Sequence, residues 1–191
     1  MRKTILVFGL LSGAFTMAMM LLTLPFHERI GFGTGAEILG YTSIVLSSLF
    51  VFFGVRSYRE QQADGALTFS RALTVGLAIA LISSACYVAT WEFIYFRLTP
   101  HFMDDYTAHM IDKAKASGAS PSQIEETARQ MAEFKVMYDK PLMNAAITFL
   151  EPFPIGLLVA VISAGVLRRR PAGSPLPGGS RSVPAGPAGA R

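Results

Sequence analysis

Charge is scarce in this sequence. Charged residues are 16% of its 191 residues, against roughly a quarter in an ordinary soluble domain. Almost none of the thirteen acids and seventeen bases lie inside four long apolar runs. A soluble core spreads its apolar residues through short amphipathic elements, so this blocked pattern argues against a soluble fold. Cysteine is nearly absent. Cys86 stands alone inside an apolar run, which excludes an internal disulfide and leaves a small packing residue. The histidines, His27, His101 and His109, lack the close spacing of a zinc site. No nucleophile–base pair, phosphate-cradling loop or dinucleotide fingerprint occurs. The expectation is no catalytic residue, no metal and no cofactor, and a protein that is not an enzyme.

The net charge of +4 invites the thought of nucleic acid. The bases that produce it flank apolar runs, however: Arg2 and Lys3 at one end, and Arg168, Arg169, Arg170, Arg181 and Arg191 at the other. There they act as orientation signals beside anionic lipid. No basic patch is interleaved with aromatics, so nucleic acid is not expected as a partner.

What is present is hydrophobicity in blocks, with 51% apolar residues. A bilayer core of about 30 Å is crossed by ~20 helical residues. Four runs qualify, at 4–24, 37–55, 73–96 and 142–167. They must be helical, because lipid offers no partner to an unpaired backbone group. The expected fold is all-α, an integral membrane four-helix bundle over residues 1–170. The first run resembles a secretory signal in Met1-Arg2-Lys3, but it is too long and lacks a small-x-small site before Pro25. It reads as an uncleaved anchor.

Short segments set the orientation. Arg2 and Lys3, the loop carrying Arg56, Arg59 and Arg71, and Arg168–Arg170 place both termini and the middle loop in the cytoplasm. Segment 97–140 then faces outward and reads as a helical hairpin. Phe102, Met103, Tyr106, Met110 and Ala114 form one apolar face, and Ile124, Ala128, Met131, Phe134 and Tyr138 form another. Ser120-Pro121-Ser122-Gln123 is a helix start between them. The pair packs together or on the membrane surface, or it caps the spans as a binding element. Residues 171–191, rich in proline and glycine, read as a disordered cytoplasmic tail.

Ionisable groups within a span cost about 2.5–3.5 kcal/mol at the helix centre. Glu37, Glu92 and Glu151 lie in spans, all toward the outer side; Glu37 and Glu92 are near enough to the interface to stay solvated and carry no role. Glu151 is the deepest, and Asn144, Thr148 and Glu151 share one helix face. Pro152 and Pro154 break the helix beside it. Two readings stand side by side. Glu151 is a proton or cation site of the kind small carriers place at broken helices, or it hydrogen-bonds Glu92, Asn144 or a serine and fixes packing. Tyr87, Trp91 and Tyr95 recur every four residues as an interfacial aromatic stripe would. Gly9 with Gly13, and Gly156 with Ala160 and Ala164, are small-residue faces for close helix approach inside the bundle.

Several ordered motifs carry a family resemblance. They are Phe52-Phe53-Gly54-Val55-Arg56-Ser57-Tyr58-Arg59, Leu67-Thr68-Phe69-Ser70-Arg71-Ala72-Leu73, Trp91-Glu92, Lys113-Ala114-Lys115-Ala116-Ser117-Gly118-Ala119, and Phe149-Leu150-Glu151-Pro152-Phe153-Pro154. Over about 3–170 the chain resembles the bacterial membrane proteins catalogued as domain of unknown function 4199. Ser70-Arg71 stands where that pattern has glycine-lysine, which keeps the charge. The resemblance implies a four-span bacterial inner-membrane protein and brings no assigned activity or site. The leading expectation is a non-catalytic structural or partner-binding membrane protein, with the bilayer, a protein partner or a second copy as its contacts. The alternative is a small proton- or cation-coupled carrier using Glu151 and Glu92.

Overall fold

The computed structural model describes residues 1–26, 31–62 and 65–168. The expected tail at 171–191 lies outside them. The described chain is all-α. Helix α1 (Arg2–Thr23) runs into a 3-10 turn at Leu24–Phe26. Helix α2 (Thr34–Glu60) follows, then α3 (Phe69–Phe93), which widens into a π turn at Ile94–Leu98. Next come α4 (Phe102–Ala116), α5 (Pro121–Tyr138), α6 (Pro141–Phe149) and α7 (Pro152–Leu167). Four stretches are long and apolar enough to cross a membrane: Arg2–Phe26, Thr34–Glu60, Phe69–Leu98 and Pro141–Leu167.

The helix ends follow from local chemistry. Thr68 caps α3 by accepting a hydrogen bond from the Arg71 amide at 3.4 Å. Ser120 and Gln123 form the reciprocal capping box that opens α5, with Pro121 at the first helical position. The fourth span breaks where Pro152 lacks the N–H that would continue the helix and its ring crowds the Thr148 carbonyl. The chain tightens before the break, with the Glu151 amide bonding the Thr148 carbonyl at 3.3 Å.

Helix α3 packs on α1, α2 and α7, while α2 packs on α1 and α7, so the first and fourth spans take opposite corners. Close approach is possible because of glycine. A Cβ on Gly13 would sit 2.5 Å from Cys86 Cβ, one on Gly76 would sit 2.9 Å from Ala160 Cβ, and one on Gly156 would sit 3.0 Å from Ala80 Cβ. Both small-residue faces therefore serve internal packing. The bundle centre holds hydroxyls as well as aliphatics. Ser12 donates to the Ser47 carbonyl at 2.9 Å and pairs with the Ser83 hydroxyl at 2.7 Å. Leu10, Leu22, Ile38, Leu158 and Val166 point outward, an inside-out distribution suited to lipid.

One asymmetry positions everything below. The second half of the fourth span, α7, packs on α2, whereas its first half, α6, packs on α3 and on α5. The fourth span leans away from α2 above the proline break. Helices α4 and α5 fold against each other over that end of the bundle.

Candidate functional site

The apolar faces expected on α4 and α5 turn inward. Met103 and Tyr138 are buried against Tyr95, with Trp91, Phe102, Tyr106, Phe134 and Ile147 packed around them. The docking is directional. The Trp91 indole Nε1 donates to the Tyr138 hydroxyl at 2.9 Å. That hydroxyl pairs with Thr148 Oγ1 at 3.4 Å, and Thr148 donates to Asn144 Oδ1 at 3.2 Å. One chain of hydrogen bonds therefore links α3, α5 and α6. Next to it, the Tyr95 phenol donates to Asp139 Oδ1 at 2.5 Å. On the outer surface Lys135 of α5 donates to the Asp104 carboxylate of α4. That bond holds the Asp104 carboxyl below its usual range and the Lys135 ammonium above its own.

Tyr87, Trp91 and Tyr95, the stripe expected from their spacing, turn toward α5 and the fourth span: Tyr95 is buried, and Tyr87 and Trp91 are half-buried. Each bears an N–H or O–H that finds an acceptor within the protein, on Glu151, Tyr138 or Asp139, as aromatic groups with a polar tip do when packed.

Beneath the helix pair lies a cleft of about 460 Å³. Glu37, Gly40, Tyr41 and Ile44 of α2 form one wall, and Tyr87 and Trp91 of α3 form the back. Met103 and Tyr106 of α4, with Phe134 and Tyr138 of α5, form the roof; Ile147 and Glu151 border the fourth span. Phe32, in the turn before α2, closes one side and meets Phe102 edge-on, with ring centroids 5.3 Å apart. Across the cleft wall the Tyr87 phenol donates to Glu151 Oε2 at 2.7 Å. Tyr138 lies within electrostatic reach of both Glu151 and Glu92. Burial first, and then those two carboxylates, push its phenol above its ordinary range.

The structure sorts the five residues singled out from sequence. Glu37 and Glu151 line the same cleft. Asn144 and Thr148 are buried in the hydrogen-bond chain behind its roof. Glu92 lies outside the lining, and its Oε1 is buried with no hydrogen-bond partner among the described residues, as is Asn144 Nδ2. Glu151 bonds neither Glu92, Asn144 nor a serine, as expected of a packing carboxyl; its partner is Tyr87.

Tyr41 carries no signal in the sequence, and the spacing of Tyr87 places it in an aromatic stripe rather than beside Glu151. A signal for that pairing exists. Tyr87 stands eleven residues before the end of the third span at Leu98, and Glu151 stands ten after the start of the fourth at Pro141. In antiparallel neighbours that matches their depths to about one residue rise, 1.5 Å. Among the described residues no group of three or more His, Cys, Asp or Glu could hold a metal ion.

A family model described as a protein of unknown function, DUF4199, matches residues 7–169. No curated protein and no solved structure matches the chain.

Proposed function

The chain belongs to the DUF4199 family, and from that premise we propose that it is a non-catalytic membrane binding protein whose ligand occupies the cleft beneath α4 and α5. The observation that carries this reading is the convergence of Glu37 and Glu151 on one aromatic-roofed cleft. Both residues are exposed, Glu37 in the first turn of α2 and Glu151 ten residues into the fourth span; a carboxyl within an apolar span is costly unless it serves a ligand or a partner, and no hydrogen bond joins these two. The helix pair is then a cap. Its apolar face is occupied by the cleft, and its outer face carries ion pairs such as Arg129 with Glu126 and Glu133.

The location goes with this reading: a bacterial inner membrane, both termini in the cytoplasm, and the cleft opening outward. Basic residues cluster at Arg2 and Lys3, and at Arg56 and Arg59, on the side away from the cap. Reporter fusions at each loop check it. Active alkaline phosphatase joined after Arg71, rather than between α4 and α5, would reverse the orientation.

Native mass spectrometry tests the binding reading. Protein released gently from its own membrane is expected to carry a small molecule. Gly40→Trp, which fills the cleft at a site where a Cβ meets nothing within 4 Å, is expected to expel it. Leu142→Trp, on a side chain 85% exposed, is expected to retain it. Identical adducts on all three proteins would sink the proposal.

A second reading, a proton- or cation-coupled carrier, is favoured by one feature: Glu151 sits at the break between α6 and α7. Flux in proteoliposomes that Glu151→Gln abolishes would select it over simple binding.

A further inference from the structure

The chemistry of the cleft wall narrows its occupant. Glu37 and Glu151 are its only ionisable groups apart from tyrosines, and no basic side chain lines it among the described residues. An anion there would face two acids with no counter-charge. Most of the remaining wall is aromatic, with Tyr41, Tyr87, Trp91, Phe102, Tyr106 and Phe134 among others, and the rest is aliphatic or small. Aromatic faces attract cations through the ring quadrupole, most strongly where water is excluded. A hard metal ion wants six or more oxygen ligands, and no metal-binding group occurs among the described residues. The wall therefore suits an organic ammonium group.

A second depression continues from the first. It shares Glu37 and Tyr41 and runs along the outward face of α2 past Ile38, Thr42, Val45 and Leu46, with a volume of about 460 Å³. From Glu37 to Leu46 that is about 13 Å of helix at ~1.5 Å per residue, and beyond Glu37 and Tyr41 its lining is apolar except for Thr42. Glu37 and Tyr41 border both spaces, and Ile38, Val45 and Leu46 are exposed on the outward face of α2, the side suited to lipid. An acidic, aromatic cleft thus adjoins an apolar track.

We propose that the cleft takes a cationic alkylammonium amphiphile, reached laterally from the bilayer. The ammonium head sits between Glu37, Glu151 and the aromatic rings, and the alkyl chain lies along Ile38, Val45 and Leu46. A zwitterionic phospholipid fits less well, because its phosphate would have no basic partner among the described lining residues. The proposal rests on the cleft being a binding site and adds the class of its ligand.

Trp91 is the single tryptophan of the chain and lines the cleft, so its emission reads occupancy directly. Full-length protein in neutral maltoside micelles is titrated with decyltrimethylammonium, tetramethylammonium, decanoate and phosphatidylethanolamine. A saturable change in emission is expected with decyltrimethylammonium. Its midpoint should rise about tenfold or more in Glu151→Gln and in Glu37→Gln, and similarly when tetramethylammonium replaces the chain-bearing probe. Ile38→Gln, outside the cleft, should weaken decyltrimethylammonium and leave tetramethylammonium unchanged. Circular dichroism shows that each variant is folded.

Decanoate acting with the same midpoint, insensitive to Glu151→Gln, would overturn the ligand class while leaving the binding reading intact. Phosphatidylethanolamine competing equally would reassign the site to a phospholipid. A molecule found by mass spectrometry and expelled by Gly40→Trp, without any response to decyltrimethylammonium, would sink this inference alone. No bound molecule and no response to any probe would sink both.

Discussion

Tyr87 and Glu151, 64 residues apart in sequence, meet at 2.7 Å where the third span passes the proline break in the fourth. The phenol is donor and the carboxyl is acceptor, so the third span supplies a hydrogen bond to the one carboxyl within the fourth. Nothing else among the described residues hydrogen-bonds that carboxyl.

Tyr87→Phe removes the donor and nothing of the ring. We expect a loss of about 1 kcal/mol in reversible unfolding from mixed micelles, typical of an interhelical hydrogen bond in a membrane. The double variant Tyr87→Phe with Glu151→Gln should lose less than the sum of the two single changes. Additive losses would mean that the two groups are not coupled.

Gly13 and Cys86 define how closely the first and third spans approach. Gly13→Ala forces a methyl group into Cys86 Cβ, and overpacking of this kind costs about 1–3 kcal/mol. Adding Cys86→Gly removes the opposing Cβ and should restore part of that loss. Gly165→Ala, where a Cβ meets nothing within 4 Å, should be neutral or stabilising. Equal effects at Gly13 and Gly165 would refute the close approach.

Tyr138→Phe interrupts the hydrogen-bond chain from Trp91 to Asn144. The indole N–H loses its acceptor, and the cap should loosen before the spans do. Hydrogen exchange is expected to accelerate in α4 and α5 first, with a shift in Trp91 emission. Uniform acceleration through all four spans would mean that Tyr138 holds the bundle rather than the cap.

The Asp104–Lys135 pair fixes a pH dependence for the cap. Lys135 lowers the Asp104 carboxyl below its ordinary 3.8, so the folded state binds that proton less readily than the unfolded chain. Its contribution is present above 3.8 and is lost as pH falls through the lower folded value. Lys135 is raised above 10.5, so the same contact persists below 10.5 and is lost as pH rises through the higher folded value. Both groups are exposed and screened by salt, so the effect on stability is small. Carbon-detected NMR should show Asp104 titrating below 3.8 and moving up toward it in Lys135→Met. An unchanged titration in that variant would refute the pairing.

Much of the site was legible before any coordinates. Residue type and depth alone flagged Glu37 and Glu151, because a carboxyl in an apolar run is expensive wherever it points. The capping box at Ser120 and Gln123 was equally plain, since its partners are three residues apart. Glu92 and Glu151 were grouped on shared cost, and the fold separates them: Glu151 turns to Tyr87, and Glu92 lies outside the lining. Spacing puts Tyr87, Trp91 and Tyr95 on one face, but it does not name the neighbour that face meets.

Local chemistry by itself determined the four apolar spans, the break at Pro152 and Pro154, and the two amphipathic helices with their cap residue. Each depends on contacts within a few residues or on transfer to lipid, and both are written in the order of side chains. Only tertiary structure decided that α6 leaves α2, that the roof of α4 and α5 closes over the gap, and that Glu37 and Glu151 face one space. Those outcomes depend on packing between helices far apart in sequence, where small residues let α1, α3 and α7 come together and the proline break turns the fourth span aside.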